Sequence, residues 1–127
     1  MMLFIVIKNE RKREYIMKVG LIRCKQTEDM CPGSTCFTVF DHKMFEFDQF
    51  DEEVKVLGVN NCGGCPGKRA VPRAVEMIKR GVDTIVFASC ISKGTPIGVP
   101  CPHFEIMKES IVRKVGDDIR IIEYTHF

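Results

Sequence analysis

The sequence predicts an α/β domain: a small doubly wound sandwich, Rossmann-like or flavodoxin-like, built on a four-stranded parallel sheet. Three observations predict it. Short runs rich in β-branched residues recur along the 127 residues, and segments of helical apolar periodicity stand between them. The runs are also apolar without strict alternation, as expected where both faces of a sheet are covered.

The strands are expected at residues 19–24, 54–60, 84–89 and 119–124. Between the second and third, Ala70, Val71, Ala74, Val75 and Ile78 fall on one helical stripe opposite Arg73, Glu76, Lys79 and Arg80, and Gly81 supplies a stop. Between the third and fourth, Phe104, Met107, Ile111 and Val115 keep a similar stripe until Gly116. Between the first and second, Phe37, Phe40 and Met44 indicate a helix beginning near Ser34 or Thr35. Strands alternating with helices require right-handed crossovers, and the order 2-1-3-4 follows as the expectation.

A chain with 45% hydrophobic and 28% charged residues is an ordinary single domain. Its formal charge of +2 gives no general attraction to nucleic acid or to an anionic membrane. No stretch nears the roughly 20 apolar residues that cross a bilayer. Residues 1–16 do not match the rest, because the apolar run 3–7 leads into a charged one. Met17 opens the first strand directly, so 1–16 is expected to be an extension or a mis-assigned start, or to add an edge strand at 3–7. Residues 17–127 then form the domain.

Seven cysteines is an odd number, so a fully paired disulfide framework cannot use them all. The start lacks a secretory signal, and a cytoplasmic location with reduced thiols is the expectation. There a cysteine cluster is more often metal-binding or catalytic than structural. Ligands of doubly wound sheets collect outside the carboxyl ends of the strands, and that is where these residues fall. Cys24 closes the first strand, Cys62 and Cys65 follow the second, Cys90 closes the third and His126 follows the fourth. Cys31, Cys36, Cys101 and His103 stand in the connecting loops, while His42 falls within the first helix and away from them.

Cys62-Gly63-Gly64-Cys65 is a C-x-x-C turn able to chelate through two sulfurs, and the same spacing serves thiol–disulfide exchange. Cys101 and His103 add a thiol and an imidazole ahead of a helix. Cys31 and Cys36 offer a third loop, though Cys36 also suits burial in a first helical turn. A cysteine-phosphatase reading fails, since neither Cys24 nor Cys90 opens a loop closed by arginine. A dinucleotide fingerprint is absent after the first strand. The loop 92–98, with Lys93, suits a small anionic ligand shared with Lys68.

Taken in order, Cys24, Glu28-Asp29, Cys31-Pro-Gly-x-x-Cys36, Cys62-Gly-Gly-Cys65-Pro-Gly-Lys, Ala88-Ser-Cys90, Gly94-Thr-Pro-Ile-Gly, Cys101-Pro-His103 and Thr125-His126 resemble the CGGC-domain family. The likeness runs from Met17 to His126. It implies a metal-binding domain, with zinc the ion usually suggested, and brings no reaction with it. On the residues alone, Cys62 and Cys65 supply two ligands, completed from Cys24, Cys90, Cys101 and His103, with Cys31, Cys36 and His126 as further candidates. Thiolate and imidazole ligation suits zinc. The excess of thiols also suits an iron–sulfur cluster. A different class is a metal-free redox enzyme cycling Cys62 and Cys65.

Overall fold

A computed structural model of the chain describes residues 16–27, 30–45, 47, 53–94, 98, 100–116 and 118–126. Its strands are β1 (Ile16–Arg23), β2 (Glu53–Asn61), β3 (Thr84–Phe87) and β4 (Arg120–Ile122). They form one sheet in the order β2-β1-β3-β4, and every pairing is parallel. The helices are α1 (Ser34–His42), α2 (Ala70–Lys79), the single turn α3 (Ser89–Ser92) and α4 (Phe104–Val115), with a 3-10 turn at Lys25–Thr27. The α/β class, the parallel four-stranded sheet and the strand order agree with the expectation from sequence.

Burial follows position in the sheet. All of β3 is buried and β1 is buried along most of its length, whereas edge strand β2 alternates between exposed and half-buried residues. That contrast is what helices on both faces of the central strands produce, with the edge left half wet. Helices α2 and α4 pack on one another, and right-handed crossovers place α1 on the opposite face. Met17, Val19, Leu21, Ile22, Ile85, Val86, Phe87 and Ile111 are fully buried, each contributing about 1.5–3 kcal/mol of transfer free energy. The β1–β2 register shifts between Val19 and Gly20. There the sheet is bare enough for Met77 of α2 to press on it. A Cβ on Gly20 would lie 2.9 Å from Met77 Sδ, and one on Gly58 3.1 Å from it.

Several local expectations are corrected. The third strand stops at Phe87 rather than 89, because the chain turns into α3, with Ile91 N–H on the Ala88 carbonyl at 2.9 Å. The fourth is confined to Arg120–Ile122, which pair with Thr84, Ile85 and Val86. The first begins at Ile16, which pairs with Glu53. In α1 the buried face is Cys36, Val39 and Phe40, while Phe37 is exposed, and Met44, expected on the same helix, lies beyond its end and is exposed. In α2, Met77 joins Ala70 and Ala74 in the core, and Arg73 is half-buried rather than solvated, because it reaches back to the end of β2. Residues 3–7, Glu28-Asp29 and 95–97 lie outside the described residues. Among the described residues no helix is long and apolar enough to cross a membrane.

Candidate metal centre

The parallel sheet ends all its strands on one edge, and the loops leaving that edge are fixed by backbone bonds. After β1, the Cys24 carbonyl accepts Thr27 N–H at 3.3 Å and Thr27 Oγ1–H at 3.1 Å, which tightens the 3-10 turn. The amides of Gln26 and Thr27 face the Cys24 sulfur. After β2, the Cys62 amide still donates to the Arg23 carbonyl at 2.9 Å, so Cys62 is held as a continuation of the ladder. The Asn61 side chain accepts Gly63 N–H at 2.7 Å and Arg73 Nη1–H at 2.6 Å. An amide side chain and a guanidinium from α2 thereby brace the C-x-x-C turn.

Gly63 has φ +79°, and a Cβ there would sit 2.5 Å from Arg69 Cβ, so this corner of the motif admits only glycine. The Cys65–Pro66 bond is cis. Cys90 does not close β3 as expected. It stands in α3, where the turn after Ala88 brings its sulfur back to accept the Cys24 amide at 3.2 Å. Cys101 is tied by its own amide to the Ile91 carbonyl at 2.7 Å, and the His103 amide faces its sulfur.

The electrostatics join these loops. Burial is the main cause that pushes the Cys24 thiol above its ordinary pKa, opposed by the Gln26 amide and reinforced by Cys90 and Cys62. Burial likewise raises Cys101, opposed by the His103 amide and reinforced by Cys65, Cys62 and Cys90. Cys24, Cys62, Cys90 and Cys101 therefore share one thiol neighbourhood, buried except for half-buried Cys101, with exposed Cys65 at its rim. All seven cysteines are free thiols. As the side chains stand, no three His, Cys, Asp or Glu among the described residues are grouped closely enough to hold an ion together. The donor chemistry, thiols with imidazole, fits a soft or borderline metal.

The remaining candidates divide. Cys31, Cys36 and His126 line a separate cavity of about 270 Å³ with Arg23, Met30 and Cys90. Cys36 is buried in α1, with its sulfur 3.2 Å from Thr125 Oγ1. Burial raises its pKa, the Thr125 hydroxyl lowers it, Cys90 and Cys31 raise it, and Arg23 lowers it. His103 instead lines a cleft of about 120 Å³ with Pro66, Lys68 and Met107. The two loop histidines are thus in different clefts. His42 ends α1 in solvent, as expected. Lys68 lines the His103 cleft, and the Lys93 ammonium sits 4.7 Å from the Tyr124 ring centroid.

Three supporting groups escaped the sequence reading. The Asn61–Arg73 brace was hidden because Arg73 lies on the polar stripe of an amphipathic helix. Arg23 lies inside the expected first strand, although a lone cation near the end of an apolar run is a signal. Ser89 is fully buried, and its Oγ accepts the amides of Thr125 at 3.0 Å and His126 at 2.8 Å. That bond pair pins the terminal segment against α3, and only the Ala88-Ser-Cys90 and Thr125-His126 motifs hinted at it.

Comparison with known proteins gives a match to the CGGC domain over residues 18–126. Uncharacterized protein MJ0582 of Methanocaldococcus jannaschii is 30% identical over 112 residues, covering 83% of this chain and 81% of that protein. Uncharacterized protein MJ0766 of the same organism is 33% identical over 72 residues, covering 56% of this chain and 100% of that protein. No solved structure matches the chain.

Proposed function

The chain belongs to the CGGC-domain family, and from that premise we propose that it binds a metal ion, zinc, at the carboxyl edge of the sheet through Cys24, Cys62, Cys90 and Cys101. Cys65 is the exchangeable fifth thiol at the rim, and His103 is the nearest imidazole by sequence to this set. The observation that carries the reading is the shared neighbourhood of four thiols from three different loops. Thiols gathered at one sheet edge repel one another when ionised, and a cation among them removes the repulsion.

The protein's own groups have defined parts. The amides of Gln26, Thr27, Cys24 and His103 face sulfur atoms and stabilise them as thiolates, orienting the donors in the way that outer-shell hydrogen bonds orient metal ligands. Asn61 and Arg73 hold the C-x-x-C turn in place. Bound zinc would supply a cross-link between loops and, with an open position, a Lewis acid. Cytoplasmic residence belongs to this reading, since reduced thiols are its premise.

The test is elemental analysis and a visible spectrum on protein purified without oxygen and without a metal-binding tag. Near-stoichiometric zinc without colour, lost in Cys62→Ser and in Cys101→Ser and kept in Cys31→Ser, is the expected result. Iron with sulfide and a broad visible band would replace zinc by a cluster. Metal-free protein with reversible oxidation confined to Cys62 and Cys65 would sink metal binding in favour of a dithiol redox enzyme.

A further inference from the structure

The cavity between the end of β1, the start of α1 and the terminal segment carries two thiols, Cys31 and Cys36, that the metal reading leaves aside. Its walls carry Cys31, Cys36, Cys90, Arg23 and His126, and it encloses about 270 Å³. That volume admits an amino-acid-sized group and falls short of a drug-sized ligand.

Its thiols differ in access: Cys31 is half-buried and open to the cavity, whereas Cys36 and Cys90 are buried, at 3% and 6% exposure. Cys31 and Cys36 stand in one loop-to-helix turn and line the same cavity. Arg23 is half-buried beside them. Its side chain lies against Gly33, where a Cβ would be 3.3 Å from Arg23 Nε, and its Nη2–H donates to the Cys31 carbonyl. Among the described residues no carboxylate pairs with it. A planar guanidinium with spare donors, held at the wall of a thiol-lined cavity, suits a carboxylate on something that also reacts with thiols.

We propose that this cavity is a thiol–disulfide exchange site for a low-molecular-weight disulfide bearing a carboxylate. Arg23 holds the carboxylate, Cys31 attacks and Cys36 resolves. The Cys31 thiolate attacks one sulfur of the ligand; its S–S bond breaks, and the departing thiolate takes the electron pair and then a proton. The Cys36 thiolate next attacks the Cys31 sulfur, releasing the second small thiolate, which is protonated in turn. The external disulfide is reduced to two thiols, and the protein's two thiols are oxidised to one Cys31–Cys36 disulfide.

The experiment adds L-cystine to the reduced full chain. A parallel arm uses cystamine, the same disulfide with amines and without carboxylates. Acid quenching and peptide mass mapping then locate the products. A Cys31–Cys36 disulfide is expected first, Cys36→Ser should accumulate a mixed disulfide on Cys31, and Arg23→Gln should cut the preference for cystine over cystamine by about tenfold. The same preference should shrink with added salt in the unaltered chain, which keeps the test valid if Arg23→Gln misfolds. First modification at Cys62 or Cys65, or a preference indifferent to both Arg23→Gln and salt, would overturn the proposal. Metal content in Cys31→Ser is a separate readout, so failure of this proposal and failure of the metal reading are distinguishable.

Discussion

Replacing Gly63 by alanine tests whether the C-x-x-C turn is shaped by a steric contact or by backbone angle alone. Both terms can be worked. At φ +79° a side chain costs about 1–2 kcal/mol. The new methyl would also sit 2.5 Å from Arg69 Cβ, an atom fixed to the backbone at the entry to α2, with Arg69 Cδ at 3.0 Å and Cγ at 3.1 Å. Relieving that overlap adds about 1–3 kcal/mol, and the stiffer unfolded chain returns up to about 1 kcal/mol. Net destabilisation is about 2–4 kcal/mol, a fall in Tm of roughly 8–16 °C at about 4 °C per kcal/mol for a chain of this length.

Gly64 supplies the control. Its φ of +99° is as unfavourable, but a Cβ there meets nothing closer than Lys25 Cδ at 3.8 Å. Gly64→Ala should therefore cost about 1 kcal/mol, from backbone angle alone. The assay is thermal unfolding of the metal-free reduced protein by circular dichroism. In Gly63→Ala, a second change of Arg69→Gly should recover most of the difference between the two variants. Equal losses at the two glycines, or no recovery with Arg69→Gly, would refute the steric account.

Other outcomes are expected from the same geometry. Ser89→Ala removes the acceptor of the buried Thr125 amide and the half-buried His126 amide and should cost about 1–3 kcal/mol by urea titration, with mobility of residues 123–126 rising in hydrogen exchange. Arg73→Ala strips the brace from Asn61 and should cost about 1 kcal/mol while weakening metal retention, read by competition with a chelator. The thiols of Cys24, Cys36 and Cys101 have folded pKa values raised by burial above the ordinary 9.0. Their stabilising contribution is complete below that value and is lost as pH rises through the folded values. The urea midpoint of metal-free protein should accordingly be level near about pH 7 and fall toward about pH 10. Cys36→Ala should flatten that fall, and an unchanged slope would remove burial as its cause.

The sheet was legible because β-branched runs such as Ile85-Val86-Phe87 have no other stable use, and because helical stripes such as Phe104, Met107 and Ile111 lie between them. From those, strand order and the edge that gathers the cysteines followed. What sequence could not show was decided by contacts distant along the chain. The run Ala88-Ser-Cys-Ile reads as more strand, yet it turns into a helix once Ser89 receives the amides of Thr125 and His126. His103 and His126 look alike as loop histidines, and only the crossovers send one beside Lys68 and the other beside Cys31. Arg73 was assigned to solvent by periodicity, which cannot register a partner twelve residues back.

Cys90 belongs to both groups of thiols: it acts on Cys24 and Cys101 on one side and on Cys36 across the cavity wall on the other. A zinc ion drawing the Cys90 sulfur toward Cys24 would move it from the cavity wall, so the two proposed places would be thermodynamically linked. If occupying the cavity changes affinity for an ion by some factor, the ion must change affinity for the cavity's occupant by that same factor. If both proposed sites hold, this single buried side chain on a one-turn helix would join the redox state of small thiols to the supply of metal, each read against the other.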